Sequence, residues 1–381
     1  MSEIRVDSIG NESNTGGPVL SGITTFSGQQ YFIPPKGTTA ERPSDCPPGS
    51  IRFNTDTAHL EYWNGLVWLE FEASSVELGD TTLSENRSGN GTGVRGLMGG
   101  GSTPSSPSIN DEIEYVTIST FGNAQDFGDL ITARAELGSF SSSTRGVWAG
   151  GQDPANKEEI EFVTISSTGT CEDFGNIQSS NKKEIGCFSS ETRGFIAGAG
   201  TNTITYVEIA SKSNDIDFGD LPDTDTSACY GVASRVRGVV AGGNMVNRIC
   251  YITMSTTGNA EDFGDLTDAR YAAGAFSNPT RGVFGGGWSP NVTNVIDFIT
   301  IASTGNAQDF GDLTQAKYLV SGCASSTRGL FWGGHRNPSP MVREINTVEI
   351  LTTGNATDFG DISHSVTSGT ASCSNGHGGL S

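Results

Sequence analysis

The sequence predicts an all-β protein, on three observations that recur along most of its 381 residues. The first is a Phe-Gly-Asp-Leu motif or a close variant, repeated at steps of 44 to 49 residues. The second is Arg-Gly followed by apolar residues and glycines. The third is a β-branched run that ends in a Ser/Thr-Gly-Asn turn. The copies of the first motif begin at Phe127, Phe174, Phe218, Phe263, Phe310 and Phe359.

Each repeat contains four predicted strands, as residues 273–313 illustrate. A small-residue strand at 273–277 is followed by the Arg-Gly strand at 281–287, the β-branched strand at 296–301 and the Phe-Gly-Asp strand. Apolar residues occupy both faces of the third strand, although a sheet buried on one side shows strict alternation. We therefore expect each unit to be buried on both sides by neighbouring units.

The order of these motifs resembles the kelch repeat, and the resemblance covers residues 66–380. The period lies in the range of four-stranded propeller blades. The resemblance implies a kelch-like β-propeller, although this chain has Phe where that family commonly has Trp on the fourth strand. The sequence predicts seven blades: six complete ones and a seventh closed by both ends of the chain.

In that seventh blade, residues 369–374 and 378–380 supply strands one and two. Residues 66–69 and 77–80 supply strands three and four, because Leu69 precedes Leu78 by nine residues, as Ile118 precedes Phe127 in a complete repeat. Pairing the two ends would remove an exposed sheet edge. A six-bladed ring with additional strands is the alternative.

Residues 1–65 differ in character from the repeats, so we divide the chain into an attachment module at 1–65 and a propeller at 66–381. Residues 34–43 are expected to be a rigid, extended connector. Residues 49–57 and 59–68 predict one or two β-hairpins, with Asn64-Gly65 as a tight turn. The stretch PPGSIRFNTDTAHLEYWNGLVW, at residues 47–68, is similar to a module of bacteriophage tail fibres and related virion appendages.

This second resemblance implies a virion protein that contacts other virion proteins through its N-terminal segment. By analogy with fibres, it also leaves open a homo-oligomer such as a trimer. The sequence lacks the apolar core of a signal peptide near Met1 and contains no apolar run long enough for membrane insertion. We therefore expect assembly in the host cytoplasm followed by location in the virion.

The net charge of −21 argues against nucleic acid as a partner, because such a surface repels phosphates. The seven cysteines are scattered without a C-x-x-C pair, which argues against a disulfide framework and favours small, buried thiols. The histidines lack metal-ligand spacing, and the sequence supports neither a cofactor nor a catalytic motif. The chain is therefore expected not to be an enzyme.

The arginine of each Arg-Gly motif is expected to contact a Phe-Gly-Asp aspartate as a structural clasp, within or between blades. The alternative is that the arginines bond backbone carbonyls only. The clasp residues are Arg95, Arg145, Arg193, Arg237, Arg281, Arg328, Asp129, Asp220, Asp265, Asp312 and Asp361.

The loops between strands two and three vary most among the repeats and should lie on the face that also carries the blade-to-blade connections. A constant frame with variable loops indicates recognition. Trp288, His335 and Arg336 are the predicted ligand-binding residues on this face. The expected ligand is a glycan or protein of the host cell surface. The alternatives are a purely structural virion decoration and a glycan-active enzyme.

Overall fold

The fold is known from a computed structural model, which describes residues 34–57, 59–70, 94–103, 108–178, 182–198, 200–224, 226–337, 341–363 and 368–380. The chain divides into two compact units, Met1–Val76 and Glu77–Ser381. Its regular structure is almost entirely β. Within these ranges, no helix has the length and apolar character that a membrane crossing requires.

The first unit contains a four-stranded sheet of Lys36–Gly37, Ile51–Asn54, His59–Trp63 and Trp68–Glu70, in that order. The last three strands are antiparallel, which confirms the predicted hairpins. Lys36–Gly37 pairs in parallel with Ile51–Asn54, and a 3₁₀ turn follows at Thr39–Glu41. The segment predicted to be an extended connector is therefore partly folded onto this sheet.

The second unit contains six four-stranded antiparallel sheets among the described residues after residue 93. We number them along the chain and give each in the order of its strands. Sheet 1 comprises Ala371–Ser374, Arg95–Gly99, Glu112–Thr117 and Gln125–Asp129. Sheet 2 comprises Gly138–Ser141, Arg145–Ala149, Glu159–Thr164 and Glu172–Asn176. Sheet 3 comprises Ile185–Ser189, Arg193–Gly198, Thr203–Glu208 and Ile216–Asp220.

The remaining sheets repeat the same strand order, as the sequence predicts. Sheet 4 comprises Tyr230–Ala233, Arg237–Ala241, Arg248–Thr253 and Glu261–Asp265. Sheet 5 comprises Gly274–Ser277, Arg281–Gly285, Val295–Thr300 and Gln308–Asp312. Sheet 6 comprises Ser321–Ala324, Arg328–Trp332, Glu344–Glu349 and Thr357–Asp361. Two short ribbons extend loops between strands two and three: Gln152–Asp153 with Ala155–Asn156, and Trp288–Ser289 with Asn291–Val292.

The hydrophobic core lies between successive sheets, which explains the apolar residues on both faces of the third strands. Sheets 3 and 4, for example, share a cluster that contains Phe195, Ile204, Val240 and Ile252. Burial of such side chains contributes about 1.5–3 kcal/mol each. No single sheet could bury both of its faces alone, so the sheets depend on one another for stability.

The first strands of the six sheets contact one another in succession, and the last of them contacts the first. Sheet 6 also packs on sheet 1, through a cluster in which Leu330, Trp332 and Phe359 meet Met98 and Ile118. Seven four-stranded sheets, counted over the described parts of both units, give an all-β architecture consistent with a β-propeller.

The structure corrects the predicted seventh blade. Trp68–Glu70 pairs with His59–Trp63 in the first unit, so residues 66–69 are not a third strand of the repeats. Ala371–Ser374 pairs with Arg95–Gly99, and sheet 1 is therefore the sheet that two distant segments share. Residues 378–380 form a turn rather than a second strand. The predicted fourth strand at 77–80 lies outside the described residues.

Candidate binding face

Six residues, each just before the first strand of a sheet, form a closed ring of backbone hydrogen bonds. Their φ angles lie between 54° and 66°, in the left-handed region. This conformation is unfavourable for L-residues, and the closed ring of bonds compensates for it. Each residue donates its N–H to the carbonyl of the preceding one, at 2.8 to 3.3 Å. In ring order the six residues are Glu136, Glu184, Ala228, Ala272, Leu319 and Gly369.

A cavity of about 180 Å³ is lined by these ring residues and by the first strands of all six sheets. Its wall consists mainly of small side chains and glycines, because six strands converge there. Glu136 and Glu184 are the charged members of the ring. The cavity is smaller than the roughly 300–1,000 Å³ of a drug-sized site, so it has room only for a small group.

Residues 377–379 lie at the opposite end of the first strands. Nε2 of His377 is 3.1 Å from the carbonyl oxygen of Ser141 and 3.2 Å from Oγ of Ser189. The N–H of Gly378 donates to the carbonyl of Ser277 at 2.9 Å. Burial lowers the pKa of His377 to about 4, so the imidazole is neutral at pH 7. This segment forms a floor, and the ring of six residues is the mouth.

The structure brings two of the predicted ligand-binding residues together on the mouth face. The ring of Tyr318 lies between them, with its centroid 5.1 Å from that of Trp288 and 5.3 Å from that of His335. Tyr271 joins this group through a β-bridge to Trp288, and Tyr318 forms the matching bridge to His335. Tyr271 and Tyr318 are not among the residues predicted from the sequence. The sequence could have revealed them, because a tyrosine occupies the same place in two repeats, directly before Ala272 and Leu319.

Arg336, the third predicted residue, follows His335 and donates from Nη1 to Oε1 of Gln315. The side chain of Arg336 is partly exposed. Gln315 belongs to the connection between sheets 5 and 6, so the strand-two-to-three loop and the sheet-to-sheet connection meet on one face. That arrangement confirms the predicted common face.

Polar side chains occupy the opposite side of the same mouth. Oε2 of Glu136 accepts hydrogen bonds from Nε2 of Gln152 at 2.8 Å and from Nζ of Lys183 at 3.5 Å. Lys183 also donates to Oε1 of Gln152 at 3.1 Å. Oε2 of Glu184 accepts from the hydroxyl of Ser227 at 3.1 Å. The six-membered ring places Glu184 three steps from Leu319, diametrically across the mouth from Tyr318.

The structure contradicts the predicted arginine–aspartate clasp. All six arginines donate to backbone carbonyls, but the alternative of carbonyl bonds only does not hold for Arg193 and Arg328, which also pair with glutamates. Nη1 of Arg281, for example, donates to the carbonyl of Ile350 in the next sheet at 2.9 Å. Its guanidinium also stacks 4.6 Å from the ring centroid of Phe298. In the described parts of the chain, the ion pairs of these arginines are with Glu208 and Glu349. The other predicted arginines repeat the carbonyl contact: Arg95, Arg145, Arg193, Arg237 and Arg328.

The Phe-Gly-Asp motifs contact the Gly-Asn turns of the next sheet rather than the arginines. The N–H of Gly354 donates to the carbonyl of Phe310, and the N–H of Asp312 donates to Oδ1 of Asn355 at 3.1 Å. A side chain at Gly311, where φ is 147°, would lie 2.5 Å from the carbonyl oxygen of Gly354. The same Asp-to-Asn bond occurs at Asp220, Asp265 and Asp361. The carbonyl of Asp129 accepts from the N–H of Cys171, as that of Asp312 does from Ala356, but Thr170 stands where the other turns have asparagine.

The structure also contains buried ion pairs that the sequence analysis missed. Arg134 lies 3.3 Å from Glu161, and Arg270 lies 2.8 Å from Asp297, with all four side chains almost fully buried. Burial raises the pKa of Asp297, while Arg270 acts in the opposite direction. The sequence does contain a pattern that could have predicted these buried cations: a basic residue four positions after the Leu of Phe-Gly-Asp-Leu.

All seven cysteines are free, and five of them are buried, as the sequence predicts for most of them. Burial raises the pKa of the Cys323 thiol to about 12. Protonated thiols are poor nucleophiles. Within the described residues, no group of three or more His, Cys, Asp or Glu side chains is arranged to hold a metal ion.

No family model matches this chain, and no curated protein matches it significantly.

Proposed function

We propose that this chain is a non-enzymatic virion structural protein, a tail fibre or tail-associated appendage, that displays a β-propeller for recognition of the host surface. One observation carries the recognition role: partly exposed aromatic side chains are grouped at the mouth of the central cavity. The virion assignment is supported by the similarity of residues 47–68 to phage appendage modules.

The proposed propeller is kelch-like and has six blades, one for each of sheets 1 to 6. The ring of hydrogen bonds through Glu136 and Gly369 supports this number, because it passes once through each sheet connection. The contact between Ser321–Ala324 and Ala371–Ser374 supports it as well. A ring of this kind provides a rigid frame on which loops can vary.

In this proposal the first unit attaches the protein to other virion proteins, and the mouth face remains free for a glycan or protein of the host. Several copies on one particle, for example in a trimer, would bind by avidity even where each contact is weak. The protein would therefore be located in the virion.

The test uses the full chain, labelled with a fluorophore, and cells of the phage's bacterial host. We expect saturable binding to the cells, and we expect excess unlabelled protein to slow adsorption of the phage. Antibody labelling of purified particles checks the virion location separately. Particles that lack the protein would refute the virion role, and the absence of binding to cells or to envelope fractions would refute the recognition role.

A further inference from the structure

We infer that the mouth of the central cavity binds a neutral saccharide, with the aromatic group Tyr271, Trp288, Tyr318 and His335 as its apolar platform. This inference rests on the recognition function proposed above and gives it a ligand class. It follows from a comparison of the sheets, because these residues differ from those at the equivalent positions of other sheets.

Sheets 1, 2, 4, 5 and 6 each have an equivalent pair of positions at this face. One residue directly precedes the left-handed ring residue, and its partner follows the double glycine after the second strand. In sheet 2 the pair is Ala135 with Gln152, joined by a β-bridge. In sheet 1 it is Ser368 with Ser102, and in sheet 4 it is Ser227 with Asn244. The frame therefore accepts small and polar residues at these positions.

Sheets 5 and 6 instead carry Tyr271 with Trp288 and Tyr318 with His335. All four side chains are only partly buried. Because sheets 1, 2 and 4 fold with Ala, Ser, Gln or Asn at the same places, core packing does not require large rings here. Exposed aromatic groups that the fold does not need are typical of binding sites. Their adjacency across two sheets makes one continuous platform.

The remaining side chains of the mouth provide hydrogen-bonding groups around the rest of the ring. Gln152 presents an amide, Glu136 and Glu184 present carboxylates, and Ser227 presents a hydroxyl. Burial, with Tyr271 as a smaller cause, raises the pKa of Tyr318, so its hydroxyl can still donate at neutral pH. Planar amides and carboxylates can each contact two neighbouring hydroxyl groups.

A saccharide matches this combination of surfaces. The C–H face of a sugar ring packs against aromatic rings, while its hydroxyl groups need donors and acceptors around the edge. The charges near the mouth include Lys183 and Arg336 as well as Glu136 and Glu184. The mouth is therefore close to neutral, and the net charge of −21 disfavours acidic glycans.

The test measures binding of the full chain to immobilised neutral and acidic oligosaccharides, with two loss variants. The double variant Tyr271→Ser and Trp288→Asn copies the pair of sheet 4, and Tyr318→Ser with His335→Asn does the same in sheet 6. We expect neutral oligosaccharides to bind and each double variant to bind at least tenfold more weakly. Leu351→Ser is the control, because this exposed side chain lies in a turn after a third strand, away from the mouth.

A second measurement does not depend on the loss variants. Trp148 and Trp332 are fully buried, so Trp288 is the partly exposed tryptophan of the described second unit. We expect saccharide binding to change the tryptophan emission of the full chain and expect Trp288→Phe to bind while losing most of that change.

Three results would overturn this inference. They are binding to acidic oligosaccharides only, neutral binding that survives both double variants, and binding to cells through protease-sensitive sites without any binding to neutral oligosaccharides. The last result would leave the recognition function intact, whereas binding to neither cells nor saccharides would refute both. Saccharide binding by a protein absent from the virion would support this inference while refuting the virion role.

Discussion

Sheets 5 and 6 each bury a cation at the same place, but they compensate its charge differently. Arg270 lies before sheet 5 and is paired with Asp297 at 2.8 Å. Lys317 lies before sheet 6, where the position equivalent to Asp297 is the neutral Asn346. Nζ of Lys317 is instead 3.5 Å from the carbonyl oxygen of Glu344. The frame thus accepts a long basic side chain here with or without a counterion.

The difference is visible in the pKa of the lysine. Burial lowers the pKa of Lys317 to about 8 from its ordinary value of 10.5, although Glu344 raises it in part. A buried charge without an ionic partner is unfavourable. Repeat proteins can retain such a cost in one unit because the neighbouring units stabilise the whole.

The largest expected effect comes from removing the counterion of sheet 5. Asp297→Asn leaves Arg270 buried without a carboxylate, so we expect a loss of about 3–5 kcal/mol in the free energy of unfolding, measured by urea denaturation. The matched control replaces the pair together, as Arg270→Met with Asp297→Leu, and should lose much less. Equal losses in the two variants would contradict the role of the unpaired charge.

Removing the cation of sheet 6 should increase the free energy of unfolding instead of lowering it. Lys317→Met keeps the chain length of the side chain but abolishes its charge. Because the pKa shift from 10.5 to about 8 corresponds to roughly 3 kcal/mol, we expect this variant to be more stable at pH 7 by up to that amount. A variant less stable than the parent protein would show that the charge of Lys317 is well compensated.

The pH dependence of the unfolding free energy, compared between the parent protein and Lys317→Met, tests whether Lys317 titrates at the lowered pKa. Between pH 8 and 10.5 the unfolded lysine still holds a proton that the folded one has released, so the unfolded state binds more protons. The stability contributed by Lys317 must therefore rise with pH in this window. We expect the advantage of Lys317→Met over the parent to shrink from pH 7 to pH 10, because other titrating groups cancel in the difference.

The smallest expected effect comes from giving sheet 6 the counterion of sheet 5. The hydroxyl of Thr314 donates to Asn346 at 3.0 Å, much as that of Thr267 donates to Asp297 at 2.6 Å. Asn346→Asp should therefore be accommodated, should raise the pKa of Lys317, and should stabilise the protein by about 1 kcal/mol at neutral pH. A nuclear magnetic resonance titration measures the pKa of Lys317. An unchanged pKa would contradict the expected ion pair between residue 346 and Lys317.

The sequence predicted the four strands of each repeat because period, turn chemistry and apolar pattern are local properties. It did not predict where the ring is closed, since a repeat of four strands can be divided between two distant segments at any strand. Arg281 illustrates a second limit: its partners, Phe298 and the carbonyl of Ile350, depend on the approach of a neighbouring sheet. A carbonyl acceptor leaves no signature in a sequence, whereas an aspartate does.

The candidate site was predictable in part for the same reason. Trp288 and His335 stand out because they are large side chains in loops that vary among the repeats. Tyr318, which lies between their rings, sits in a connection that looks like an ordinary end of a strand. Comparing equivalent positions among the repeats identifies it, because the corresponding residues of sheets 1, 2 and 4 are Ser or Ala.

The pairing of Arg95–Gly99 with Ala371–Ser374 has a consequence for the time at which the protein becomes complete. At a synthesis rate of about 5–20 residues per second, the earlier strand emerges roughly 14–55 s before its partner exists. Sheets 2 to 6 can acquire all their strands during that delay, while one edge of sheet 1 stays open to mispairing. Until Ala371–Ser374 has been made, the nascent chain therefore exposes the edge of Arg95–Gly99 with which it will pair.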